Sequence, residues 1–247
     1  MANSSLSSPV ALVTGAAKRV GRAIALRLAS AGYDIALTYL QSDAEAGSVV
    51  SDVRAMGRQA IAIRADLTNP STAVDAIDLD FRQSFARLDV LVNNASIYQP
   101  SDLSSTEPDL IQRLMSIHVE APLLLCKHFA THLRANRGHV INMVDLLAEK
   151  PWPKYMAYSA SKAALSNLTI SLARELAPEV TVNGIAPGAV EWPPDYPTAE
   201  KEKYLQRVPL GRAGTPEDVA NLVHFLVTSG SYVTGQIIRL DGGRSIL

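Results

Sequence analysis

The feature that most limits how this chain folds is a repeated alternation of short apolar runs with segments of helical period. Runs rich in β-branched and aliphatic residues stand at Val10 to Thr14, Ile35 to Tyr39, Ala60 to Arg64, Val90 to Asn93, Val140 to Val144, Thr181 to Ile185 and Gln236 to Leu240. Each is of strand length, and several are apolar throughout, the pattern of strands covered on both faces. Between them Val20, Ile24 and Leu28 repeat every four residues before Gly32. Leu165, Leu168, Leu172 and Leu176 repeat at three and four before Pro178, so both segments read as helices packed on a sheet. The expectation is an α/β fold: a single domain over 1–247, built on a doubly wound, seven-stranded parallel sheet with helices on both faces. Ligands of such a sheet bind beyond the carboxyl ends of its strands.

The formal net charge of -1 and the absence of a long Lys/Arg run give no electrostatic footprint for nucleic acid or an acidic membrane. The expected partners are small molecules and further copies of the chain. Met1 to Pro9 is polar and Ser-rich, without the basic and apolar regions of a secretory signal, and no apolar run reaches membrane-spanning length, so the expected location is cytoplasmic. Cys126, the single cysteine, sits in the apolar segment Leu123 to Phe129 and reads as core. His128 and His132 lie four apart without a third ligand, so no metal is expected. The stretch from Pro187 to about Pro209, with Pro193, Pro194 and Pro197 inside it, reads as an irregular lid over about 188–209, where Trp192 and Tyr196 cover an aromatic ligand. Glu200 to Lys203 reads as the solvated face of a short helix.

Thr14-Gly15-Ala16-Ala17-Lys18-Arg19-Val20-Gly21 follows the first strand and opens the first helix. Its backbone N–H groups and the helix dipole suit a pyrophosphate, as in a Rossmann-type dinucleotide site. A site for NAD ends its second strand with a carboxylate for the adenosine ribose. Here that region is Thr38-Tyr39-Leu40-Gln41-Ser42, without an acid, while Lys18 and Arg19 in the adjoining turn can offset a 2′-phosphate. NADPH is therefore the expected cofactor, with Tyr39, Gln41 and Ser42 at its adenosine end, unless Asp43 points inward.

Tyr158-Ser159-Ala160-Ser161-Lys162 begins a helix, so Tyr158 and Lys162 share a face. A nearby ammonium is expected to lower the phenol's pKa and make Tyr158 a usable acid. The pair resembles the Tyr-x-x-x-Lys motif of the short-chain dehydrogenase/reductase family, and further signatures follow in order. The Thr14 to Gly21 turn is similar to the family's cofactor turn, Asp66-Leu67 to its adenine-contacting pair and Asn93-Asn94-Ala95 to its sheet-end motif. Pro187-Gly188 is similar to its nicotinamide turn and Asp241-Gly242-Gly243 to its C-terminal signature. The resemblance covers essentially the whole chain and implies the fold, a nicotinamide cofactor, hydride transfer and a homotetramer, with Lys162 anchoring the nicotinamide ribose.

The departures from that family carry the substrate reading. Its catalytic serine, thirteen residues before the tyrosine, falls on Asp145, which as an ionised carboxylate accepts hydrogen bonds and repels a developing alkoxide. A desolvated Asp145 with a raised pKa can instead supply a proton. Ser96 replaces the usual glycine after Asn93-Asn94-Ala95, and Arg19 replaces the middle glycine of the cofactor turn. Together these resemble the pteridine reductases of the family, which implies an Asp145, Tyr158, Lys162 centre, with Arg19 and Ser96 holding cofactor and pterin and Tyr98 stacking on the pterin. The family's relay asparagine is His118 here, a feature shared with dihydromonapterin reductases or simply a buried helix histidine with satisfied hydrogen bonds. The implied reaction is reduction of a 7,8-dihydropteridine at C6 with a proton to N5. A fully oxidised pterin needs hydride at C7 and a proton at N8, from Tyr158 with Asp145. Carbonyl or quinone reduction, dihydrofolate reduction and a redox-sensing binding module are the other readings.

Overall fold

In the computed structural model, which describes residues 8–192 and 195–246, the apolar runs become seven strands. They are β1 (Val10–Val13), β2 (Asp34–Tyr39), β3 (Ala60–Arg64), β4 (Val90–Asn93), β5 (His139–Met143), β6 (Thr181–Pro187) and β7 (Ile237–Leu240). All neighbouring pairs are parallel, in the order β3-β2-β1-β4-β5-β6-β7. The winding reverses between β1 and β4, so the connections leaving those two strands part and open a crevice at their carboxyl ends.

The helices that cover the sheet are α1 (Arg19–Ser30), α2 (Asp43–Ala55), α3 (Pro70–Ser84), α4 (Pro108–Met115), α5 (Ala121–Ala135), α6 (Met156–Leu176), α7 (Thr198–Leu205) and α8 (Pro216–Thr228). Ile24 and Leu28 of α1, Val49 and Val53 of α2 and Val219 and Val223 of α8 are fully buried in one cluster with Ile35 and Leu37 of β2. The opposite face buries Ile77 and Phe81 of α3, Leu125 and Phe129 of α5 and Leu172 and Leu176 of α6. Phe81 and Phe129 meet edge to face at 5.1 Å, a favourable aromatic geometry. Cys126 lies in this second layer, and burial pushes its thiol up to about 12, far from a nucleophilic thiolate.

Strand ends differ from the sequence reading by one or two residues, for local reasons. β1 stops at Val13 because Thr14 turns its hydroxyl across the crevice, where Oγ1 accepts from Asn94 N at 2.9 Å and Ala95 N at 3.0 Å. β6 runs on to Pro187 because β7 pairs with it as far as Pro187 and Leu240. The stretch expected to be irregular contains α7, whose first turn carries Glu200, an acid placed where the helix dipole favours it. Pro193 and Pro194 of that stretch, and Met1 to Ser7 of the leading segment, lie outside the described residues. Among the described residues no helix is long and apolar enough to cross a membrane.

Candidate active site

A cavity of ≈ 580 Å³ opens at the carboxyl ends of β1, β4, β5 and β6. The first turn contributes Gly15, Lys18, Arg19, Val20 and Gly21 to its wall, and β2 contributes Tyr39. Asp66 and Leu67 follow β3, Asn94, Ala95, Ser96 and Tyr98 follow β4, and Asp145 follows β5. Tyr158 reaches in from α6, while Pro187, Gly188 and Trp192 close the β6 end. Three sequence-predicted residues do not line it. Gln41 and Ser42 lie past the end of β2, and Lys162 is buried behind the wall, its Nζ donating to Met143 O at 2.7 Å.

The first turn is a cradle built around missing side chains. Gly15 has φ +62°, and a Cβ there would lie 2.9 Å from Ala95 Cα; a Cβ on Gly21 would lie 2.5 Å from Gly15 O and 2.6 Å from Asn94 Nδ2. The start of α1 has no side-chain cap and no acid in its first turn, leaving N–H groups for an anion. These features fit the diphosphate of a dinucleotide. Gly21→Ala is expected to cost about 1–3 kcal/mol through overpacking, whereas Gly47→Ala, in the α2 interior with open space around it, is expected to gain about 0.5–1 kcal/mol. Thermal melts of the two variants check this. A Gly21→Ala protein as stable as the parent means the turn is not tightly packed.

Arg19 stands at φ +52°, a region favourable to glycine and uncommon for other residues. Its Nε meets Glu191 Oε2 at 2.6 Å and its Nη2 donates to Glu191 O at 2.8 Å, which ties the turn to the segment after β6. Lys18 pairs with Glu45 at 2.7 Å. Both cations expected at a 2′-phosphate therefore have carboxylate partners, and Arg19 faces the lid segment. Asp43 is exposed and accepts from Tyr39 Oη at 3.1 Å; it does not line the cavity.

At the cavity floor Asp145 accepts twice, from Leu147 N at Oδ1 and from Tyr158 Oη at Oδ2, both at 2.8 Å. Burial raises the Asp145 carboxyl's pKa, because the charged form loses hydration. Burial and the Asp145 charge push Tyr158 well above the ordinary phenol range. This corrects the expectation that Lys162 pulls the phenol down: burial first, and then the carboxylate in hydrogen-bond contact, raise it, while the ammonium Nζ stands 5.8 Å from the ring centroid. Lys162 is itself lowered to about 8 by burial, against the raising effect of Asp145. Tyr158 is thus held as a protonated donor and Asp145 as an acceptor.

His118 lies in a π-helical turn, Ser116–Glu120, between α4 and α5. Its Nε2 is 2.8 Å from Ser96 Oγ and its Nδ1 is 2.8 Å from Ser161 Oγ. Ser161 Oγ donates in turn to Tyr158 O at 2.7 Å. Burial and the Lys162 charge lower the imidazole to about 2, so it is neutral and satisfied at both nitrogens. The chain of contacts runs from Ser96 at the cavity wall through the buried imidazole and Ser161 to the Tyr158 carbonyl, so it buttresses Ser96 and the turn that carries Tyr158.

Aromatic rings enclose the rest of the cavity. Tyr98 stacks on Tyr155 at 4.8 Å and meets Tyr158 edge-on at 5.0 Å. Trp192 lies against Tyr196 at 4.8 Å and Tyr204 at 5.2 Å, and Trp152 meets Tyr204 at 5.9 Å. Sequence reasoning missed Trp152, Tyr155, Glu191 and Tyr204. For Tyr155, its position three residues before Tyr158, at the start of α6, was an available signal; Tyr204 is brought in by α7, where its Oη accepts from Ala189 N at 2.9 Å. His128 pairs with Asp78 at 2.7 Å, and among the described residues no group of three metal-ligating side chains is gathered.

The family model described as enoyl-(acyl carrier protein) reductase matches residues 15–245. A 3-oxoacyl-[acyl-carrier-protein] reductase of Synechocystis is 36% identical over 242 residues, covering 96% of this chain and 97% of that protein. Pteridine reductase 1 of Leishmania tarentolae is 34% identical over 285 residues, with 97% of each covered. Among solved structures, a blue fluorescent protein from a metagenomic library in complex with NADPH superposes with a TM-score of 0.90 at 34% identity, covering 96% of this chain and 98% of that one. The chain belongs to the short-chain dehydrogenase/reductase family of oxidoreductases.

Proposed function

We propose that the protein is an NADPH-dependent reductase of a 7,8-dihydropteridine, working as a cytoplasmic homotetramer. Gly15 and the start of α1 hold the diphosphate, Tyr39, Asp66 and Leu67 face the adenosine, and Asn94, Ala95, Pro187 and Gly188 bound the nicotinamide end. Bound there, the nicotinamide supplies the hydride that C6 of the pterin receives as N5 gains a proton. The observation that carries the substrate class is the Asp145 carboxylate, accepting from Tyr158 at 2.8 Å at the floor of a cavity walled by aromatic rings. A carboxylate there matches a ligand edge rich in N–H and amino donors and opposes a developing alkoxide. Tyr98 and Trp192 supply ring faces for a flat heterocycle, and Ser96 and Arg19 stand at its edge. Tyr158 is the proton donor and Lys162 its buried support. The segment 188–209 acts as the lid, latched to the first turn through Arg19 and Glu191.

The relationship to a 3-oxoacyl reductase supports a second reading, ketone reduction with Tyr158 protonating the oxygen. The test is loss of NADPH absorbance with dihydromonapterin, dihydrobiopterin and dihydrofolate against a panel of ketones and quinones, repeated with NADH. Turnover of the dihydropterins, with NADPH preferred, is the expected result. Turnover confined to ketones or quinones rejects the pteridine assignment.

A further inference from the structure

A second cavity, of ≈ 350 Å³, adjoins the first, with Leu146 and Trp152 lining both. Its remaining wall includes Glu149, Lys150 and Arg244. Glu149 is already neutralised by an ion pair with Arg239. Neither Lys150 nor Arg244 has a carboxylate partner among the described residues. By contrast, the cations of the first cavity, Lys18 and Arg19, are each paired. The guanidinium of Arg244 lies over the Tyr204 ring at 5.6 Å, and that ring lines the first cavity. Stacking fixes the direction of the guanidinium but uses none of its N–H groups. Its Nε is buried without a hydrogen-bond partner among the described residues, a donor that native structures almost always satisfy.

We propose that this second cavity is a subsite for an anionic group on the substrate's side chain, held by Arg244 and Lys150. The proposal rests on the dihydropteridine reading and extends it. A ring stacked among the aromatics of the first cavity carries its substituent past Trp152 and Tyr204, towards the two uncompensated cations. The matching chemistry is an anionic oxygen group, either the glutamyl carboxylate of a dihydrofolate or a phosphate ester on a polyol side chain. Both accept charge-assisted hydrogen bonds from a guanidinium.

The experiment compares three 7,8-dihydropterins: one with a neutral polyol, its phosphate ester, and dihydrofolate. Each is assayed with the parent protein, Arg244→Gln and Lys150→Gln, at low and high salt. Tryptophan-fluorescence quenching gives the binding constants of the same compounds independently of turnover. The expected result is a rise of about ten-fold in KM and Kd for the anionic compound in each variant, a similar weakening by salt, and a change below about two-fold for the neutral one. A loss confined to dihydrofolate assigns the carboxylate, and one confined to the ester assigns the phosphate. If neither anionic compound loses more than the neutral one, the subsite is rejected. If Arg244→Gln does not fold, Lys150→Gln and the salt dependence decide alone. Failure of the pteridine reading is seen separately, as absence of turnover with all three compounds by the parent protein.

Discussion

Tyr158→Phe is expected to lower kcat on a dihydropterin by about 10²–10⁴-fold, the usual contribution of a positioned general acid, while leaving the affinity for NADPH nearly unchanged. The phenol is buried and donates to Asp145 at 2.8 Å, and burial and that carboxylate keep it protonated. Phenylalanine preserves the ring that packs edge-on against Tyr98 and His118, so the cavity keeps its shape and only the O–H is lost. Lys162 gives the parent enzyme an independent signature. Burial lowers its ammonium to about 8, so the charge is present below that pH and lost as pH rises through it. Without the ammonium, the Asp145 charge beside Tyr158 is uncompensated, and turnover should decline above about pH 8. Steady-state rates across pH, with NADPH binding measured by fluorescence, check both points. A variant within about three-fold of the parent kcat would move the proton donor to another group.

The fold was legible because a parallel sheet covered on both faces leaves nearly continuous apolar runs, and the helices between them keep one apolar stripe. Ile24, Leu28, Leu172 and Leu176, picked out by spacing, are all buried in the two layers beside the sheet. One misplaced end is polar. Thr14 leaves β1 because its hydroxyl finds two N–H groups on the far side of the crevice. That preference depends on partners 80 and 81 residues away in sequence, and no local pattern encodes it.

The candidate site divides along the same line. Residues that follow strands in short turns, such as Gly15, Asn94 and Asp145, could be placed from sequence because the topology fixes where a strand ends. Charge compensation could not. Arg19 meeting Glu191 and Lys18 meeting Glu45 are contacts between distant segments, and they alter what those cations can do for a ligand. The sign of the Tyr158 perturbation was misjudged for a related reason. Helical spacing reveals that Lys162 shares a face with the phenol, whereas the shift is set by burial in the folded core and then by a carboxylate just beyond β5.

Asp145→Ser should invert the chemistry at the floor of the cavity, because an obligate acceptor becomes a hydroxyl that can donate. On the proposed reading, kcat/KM for a dihydropterin falls by about a hundred-fold, the scale of leaving ligand donors unpaired in a buried site. Activity on simple ketones rises from the parent level, since a donor now meets the developing oxyanion. The same substitution removes the carboxylate that raises Tyr158, so the phenol's pKa falls towards its ordinary value. Stability supplies a control with a defined sign. Burial raises the Asp145 pKa in the folded state above its unfolded value of 3.8, so the folded protein binds the proton more tightly than the unfolded chain. The charged side chain therefore costs stability above that range and costs none below it. The melting midpoint of Asp145→Ser relative to the parent should therefore rise with pH through the range of the raised Asp145 pKa, from a baseline lowered by the loss of the counter-charge to the buried Lys162 ammonium. Parallel kinetics on a dihydropterin and a ketone, with melts over the same pH range, separate the two roles. A variant with this pH trend whose pterin-to-ketone preference is unchanged would leave Asp145 as a buried structural acid and remove it from substrate recognition.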